Sequence, residues 1–135
     1  MPEAASNGGG RPRVLLVEDD PAVRRALQLL LIGEGYDVRA YRSAIGLASD
    51  PEALRAACLV ADLMMPEKDA LQLLQDLRTA GWTGPAILIS GHLNEARVAK
   101  AHSEGFQVAL PKPIGENMLT RSVAQLIGRP SVDMG

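Results

Sequence analysis

The chain has 135 residues and a formal net charge of −2, a size that suits one domain and a charge that gives no electrostatic case for nucleic-acid binding. Its single cysteine, Cys58, excludes an intramolecular disulfide and a cysteine-rich metal site. No apolar run approaches the ~20 residues needed to span a bilayer, and Met1 to Gly10 lacks the cationic start and apolar stretch of a secretion signal, so a soluble cytoplasmic protein without membrane contact is expected.

Residues 1–11 are small, polar and glycine-rich and predict a disordered tail. Val14-Leu15-Leu16-Val17 is a run of β-forming apolar residues, the mark of a strand covered on both faces, and predicts a strand over 13–17. Three carboxylates, Glu18-Asp19-Asp20, follow at once, and then Pro21. Asp20 before Pro21 reads as the N-cap and first position of a helix over 21–34. Within it, Leu29-Leu30-Leu31-Ile32 cannot all lie on one buried stripe about 100° wide, so at least one should be exposed. A second strand is expected over 36–40. The stretch 43–57 is helical but interrupted by Pro51, which predicts a short helix from Ser43, a turn at Ser49-Asp50 and more helix after the proline.

A third strand over 58–61 leads to Asp62, and a helix is expected over 69–80. Trp82, after Gly81, reads as a loop residue covering a helix end. The fourth strand, 86–89, leads to Ser90 and is followed by a helix over 93–104. The fifth, 107–110, leads to Lys112 between Pro111 and Pro113, and a last helix covers 115–127. Glycines at 33 or 35, 81, 105 and 128 stand where helix C-caps fall. Residues 129–135 show no pattern, which leaves one domain over 12–128.

Five strand–helix alternations predict an α/β fold: a doubly wound, parallel five-stranded sheet with right-handed crossovers and helices on both faces. Such sheets collect ligands at the carboxyl ends of their strands. Glu18, Asp19, Asp62, Ser90 and Lys112 all fall at that edge and can converge in one pocket. Three carboxylates there repel by about 4 kcal/mol per pair at about 4 Å and an effective dielectric of about 20, and one lysine cannot neutralise them. A divalent cation with oxygen ligands can, and Mg2+ suits when a phosphoryl oxygen is a further ligand. Asp62 can then serve as a carboxylate nucleophile toward phosphorus. Lys112 and the metal would stabilise charge on the transferring group, and the Ser90 hydroxyl would donate to the phosphoryl once it arrives.

Over about 13–127 the chain resembles the receiver domains of two-component response regulators, the CheY-like family. The matching motifs are Glu18-Asp19 after the first strand, Asp62 in Asp-Leu-Met-Met-Pro, Ser90 after the fourth strand, and Lys112 in Lys-Pro. The resemblance implies a flavodoxin-like fold with strand order 2-1-3-4-5. It implies an aspartyl phosphate on Asp62, and Mg2+ held by Asp19, Asp62 and the backbone carbonyl of Met64, with Glu18 acting through water. Ser90 would be the switch hydroxyl, Lys112 the phosphoryl contact, and the Lys112–Pro113 bond cis.

The implied partners are a histidine kinase or histidine phosphotransfer protein upstream and a protein target downstream, with no direct contact to nucleic acid. The face carrying Arg97, Lys100, Glu104 and Arg121 could serve a homodimer or simply meet water. The chain would not be an enzyme beyond its own phosphotransfer and autodephosphorylation. Ala109 and Ala70 depart from the family pattern: many members carry Tyr or Phe at the first position and glycine at the second. Two other readings are open: a receiver cut from a longer DNA-binding regulator or hybrid kinase, and a phosphohydrolase with Asp62 as nucleophile. The second usually needs another acid two residues on, where Met64 stands.

Overall fold

Leu15, Val17, Leu59, Ala61 and Leu88 face one side of a sheet, while Val14, Leu16, Cys58, Val60, Ile87 and Ile89 face the other, and all are fully buried. That period of two, with apolar residues in both phases, is what a strand covered on both faces requires. The structure is a computed structural model that describes residues 10–115 and 117–130; residues 1–9 and 131–135 of the two expected tails lie outside it. Along the chain run β1 (Arg13–Val17), α1 (Pro21–Gly33), β2 (Asp37–Tyr41), α2 (Pro51–Leu54), β3 (Cys58–Asp62), α3 (Ala70–Thr79), β4 (Ala86–Ser90), α4 (Glu95–Ser103), β5 (Val108–Pro111) and α5 (Met118–Ile127). All pairings are parallel and the order is β2-β1-β3-β4-β5, as expected.

One core, with Leu27 and Leu31 of α1 and Leu119 and Val123 of α5, covers one face. The other holds the short α2 with α3, α4, Trp82 and Phe106. The helices start where side chains can replace missing backbone acceptors. Asp20 Oδ1 accepts from the amides of Ala22 (2.9 Å) and Val23 (3.3 Å), Asp69 Oδ1 from Gln72 (2.9 Å) and Asn94 Oδ1 from Arg97 (2.8 Å). Gly35, Gly81 and Gly105, just past the ends of α1, α3 and α4, have φ near +100°, where a Cβ would be strained. The attachment of α4 is slight: Ala101 is its one buried residue.

The second helical stretch differs from expectation. No helix starts at Ser43, whose Oγ instead accepts the Ile45 amide at 3.1 Å, and Gly46 turns left-handed at φ 80°. A 3-10 turn at Leu47–Ser49 follows, and Asp50 then caps α2 through the Glu52 amide at 2.9 Å. The local side-chain hydrogen bond competes with helix formation and wins.

Two polar devices lock the amino end of the sheet. Arg13, nearly buried, pairs with Asp37 at 2.8 Å and with Glu52 Oε1 at 2.9 Å, tying β1 to β2 and α2. Trp82 is buried, donates from Nε1 to the Ala56 carbonyl at 2.7 Å, and lies under the Arg78 guanidinium at 5.1 Å. It closes the end of α3, as its position after Gly81 predicts.

Candidate functional site

At the carboxyl edge, β1, β3 and β5 each continue one ladder bond beyond the residue that ends the strand. The Glu18 amide donates to the Tyr41 carbonyl (3.0 Å), Leu63 to Ile89 (2.8 Å) and Lys112 to Ser90 (2.8 Å). These bonds fix the backbones that carry Glu18, Asp62 and Lys112, so their side chains are aimed by the sheet and not by a free loop.

One carboxylate oxygen from each of Glu18, Asp19 and Asp62 lies within 4.8 Å of the other two. Glu18 is fully buried and Asp62 nearly so, while Asp19 faces solvent. Lys112 Nζ sits 2.8 Å from Glu18 Oε1 and 3.1 Å from Asp62 Oδ2. The first contact is an ion pair, and Glu18 Oε1 has no other partner among the described residues. Glu18 Oε2 accepts from the Asp20 amide at 3.0 Å. Burial pushes the Glu18 carboxyl above its ordinary range, against the pull of Lys112 and of the Asp20 amide. Burial alone would lower the Lys112 ammonium, but its contacts with Glu18 and Asp62 prevail and raise it.

The remaining expected residues fall around this cluster. Ser90 is fully buried at the end of β4, and its Oγ accepts the His92 amide at 3.0 Å. The Met64 amide reaches Asp62 Oδ1 at 3.4 Å, and the Met64 side chain is 55% exposed. The Lys112–Pro113 bond is cis. Ala109 is half-buried and packs against the α3/α4 core. Cys58 is fully buried at the head of β3, its thiol pushed up to about 12 by burial, so it is inert to chemistry at this edge.

The donor set consists of oxygens, carries an excess of negative charge over its one ammonium, and leaves one carboxylate at the solvent side. It fits a hard divalent cation. Sequence reasoning missed one residue here. Arg24 of α1 donates from Nη1 to the Glu18 carbonyl at 2.9 Å and reaches the Asp19 carbonyl at 3.5 Å. A cation one turn into a helix that follows three acids was the available signal.

This fold, with acids and a lysine at one rim, is that of a signalling receiver domain. A family model of the response regulator receiver domain matches residues 14–124, and the chain belongs to that family. It is 33% identical over 110 residues to the response regulator protein TmoT of Ectopseudomonas mendocina, covering 82% of this chain and 50% of that one. It is 35% identical over 127 residues to the transcriptional regulatory protein AruR of Pseudomonas aeruginosa, covering 87% of this chain and 50% of AruR. The chain thus spans about half the length of these curated relatives. Among solved structures, the receiver domain of the sensor histidine kinase PA1611 from Pseudomonas aeruginosa PAO1, with a magnesium ion coordinated in its active-site cleft, superposes with a TM-score of 0.77 at 21% identity, covering 87% of this chain and 98% of that one.

Proposed function

We propose that this receiver takes a phosphoryl group onto Asp62 from a phosphohistidine partner and thereby changes its contacts with a protein target in the cytoplasm. The observation that carries the reading is the meeting of Glu18, Asp19 and Asp62 oxygens within 4.8 Å beside Lys112 Nζ. A carboxylate oxygen of Asp62 attacks phosphorus, the bond from phosphorus to the imidazole nitrogen breaks, and the imidazole leaves with the electron pair. Lys112, already 3.1 Å from Asp62, supports the negative oxygens of the transferring group. Asp19, Asp62 and the Met64 carbonyl, with Glu18 through water, would hold Mg2+, which when bound offsets charge on the phosphoryl oxygens. The magnesium reported in the PA1611 receiver supports this assignment. Ser90 would donate its hydroxyl to the new phosphoryl group, a contact that differs before and after modification and so can bias a switch.

The donor surface on this reading is α1. Leu29 and Ile32 are 53% and 46% exposed while Leu31 between them is buried, and Arg25 and Ala26 are exposed on the preceding turn. Exposed leucine and isoleucine on one turn are an apolar offering to a partner helix. Leu29→Asp should slow transfer from a histidine-phosphorylated protein and leave labelling by a small phosphodonor unchanged; equal rates from the protein donor would remove α1 from the reading.

The chemistry is tested by intact mass after treatment with phosphoramidate, with and without Mg2+, for the wild type and Asp62→Asn. An adduct that needs both the metal and Asp62 is expected, and an adduct on the Asp62→Asn chain would overturn the assignment. A second reading is favoured by the coverage of about half of TmoT and AruR: the receiver would control a further domain of a longer regulator. Steady turnover of a simple phosphate ester would instead favour a phosphohydrolase.

A further inference from the structure

The β1–α1 connection holds three acids in a row, yet what grips its backbone is a cation that touches none of their carboxylates. Arg24 is half-buried, and its Nη1 donates to the carbonyl of Glu18 at 2.9 Å and extends to that of Asp19 at 3.5 Å. The acid side chains are thereby left for other work: Glu18 toward Lys112, Asp20 onto the first turn of α1, and Asp19 toward the cluster with Asp62. The peptide planes at Glu18 and Asp19 decide where those side chains point. Glu18 is held at its amide by the Tyr41 carbonyl, but Asp19 has solvent on its side.

We propose that Arg24 is a positioning residue of the acidic pocket: by clamping the Glu18 and Asp19 carbonyls from α1, it sets the loop geometry in which their carboxylates converge with Asp62. The inference rests on the reading of that pocket as the Mg2+ and phosphoryl site. A displacement of about 1 Å at such a site can cost about 100-fold in rate, so a clamp on two carbonyls is consequential. The guanidinium can place donors on neighbouring acceptors in a way that a lysine ammonium on its flexible stem does not reproduce.

Two physical roles give opposite signs. If Arg24 acted through space, as one more positive charge near three acids, its removal would tighten cation binding. If it positions the loop, its removal loosens binding, and Arg24→Lys, which keeps the charge, loosens it too.

The test uses the whole chain, as wild type, Arg24→Gln and Arg24→Lys. Mg2+ affinity is read by titration calorimetry, global stability by urea, and amide hydrogen exchange at Asp20, Ala22 and Val23 is read without metal. Expected in both variants are a Kd raised by about 10-fold and loop exchange faster by about 10-fold, with amides of β3 and β4 and the urea midpoint unchanged. Arg24→Gln binding Mg2+ as tightly as wild type or tighter, or loop exchange at the wild-type rate, would overturn the proposal. Wild type that fails to bind Mg2+ would overturn the pocket reading and this inference with it; wild type that binds, beside variants that bind equally, removes Arg24 alone.

Discussion

Replacing Lys112 with methionine keeps most of the stem and removes the one ammonium facing Glu18 and Asp62. At 2.8 and 3.1 Å, the two attractions are about 6 and about 5 kcal/mol at an effective dielectric of about 20. The net loss is smaller, because the wild type already bears the desolvation of Lys112 and because a buried carboxyl can take up a proton. Breaking a buried pair from one side typically costs about 3–5 kcal/mol, and we expect about 3 kcal/mol from urea unfolding near pH 7. The pH dependence follows from Glu18, which burial raises even in the wild type. Without Lys112 it rises further, so the folded state holds a proton that the unfolded state has released. Stability of the variant therefore falls as pH rises through that window and recovers on acidification toward about pH 5. Adding Asp62→Asn to Lys112→Met should restore part of the loss, as a double-mutant cycle would read. A Lys112→Met chain within about 0.5 kcal/mol of wild type at neutral pH would refute the reasoning, because only sites free of buried partners behave so.

Three further outcomes follow from single residues. Glu67 has φ 72°, the one left-handed non-glycine among the described residues, so Glu67→Gly should stabilise the fold by about 0.5–1 kcal/mol in urea. A Cβ on Gly84 would lie 2.5 Å from Trp82 Cζ2 and 3.1 Å from the Ala57 carbonyl, so Gly84→Ala should cost about 1–3 kcal/mol and shift tryptophan emission to the red. Cys58 should resist a thiol reagent until the chain unfolds. Because its thiol is held up to about 12, its share of stability is lost as pH climbs from about 9 to about 12, by about 1.4 kcal/mol per unit.

The apolar runs at 14–17, 58–61 and 86–89 made the central strands legible, since only strands covered on both faces carry apolar side chains in both phases. The strand-end placement of Glu18, Asp62 and Ser90 followed from the same runs. Strand order came from the family resemblance, because periodicity does not say which strands are neighbours. The broken second helix was foreseen at Pro51, but not the Ser43 turn that removes its first half. The helix that starts at Met118 was expected three residues earlier, at Gly115, which lies outside it. Least visible were contacts that no motif joins: Arg13 with Glu52, and the grip of Arg24 on the carbonyls six and five residues before it. A charged residue in isolation reads as solvated, and only the fold supplies its counterpart.

The slight attachment of α4 has a mechanical meaning. Asp62 ends β3, the central strand of the sheet, whose amides should exchange only when the whole domain opens. With Ala101 its one buried residue, α4 should open at a small fraction of that free energy, and it leaves the sheet a few residues after Ser90. A pull on that hydroxyl therefore meets a stiff neighbour inward and a compliant one outward, and the domain yields on its periphery while its centre stays in register.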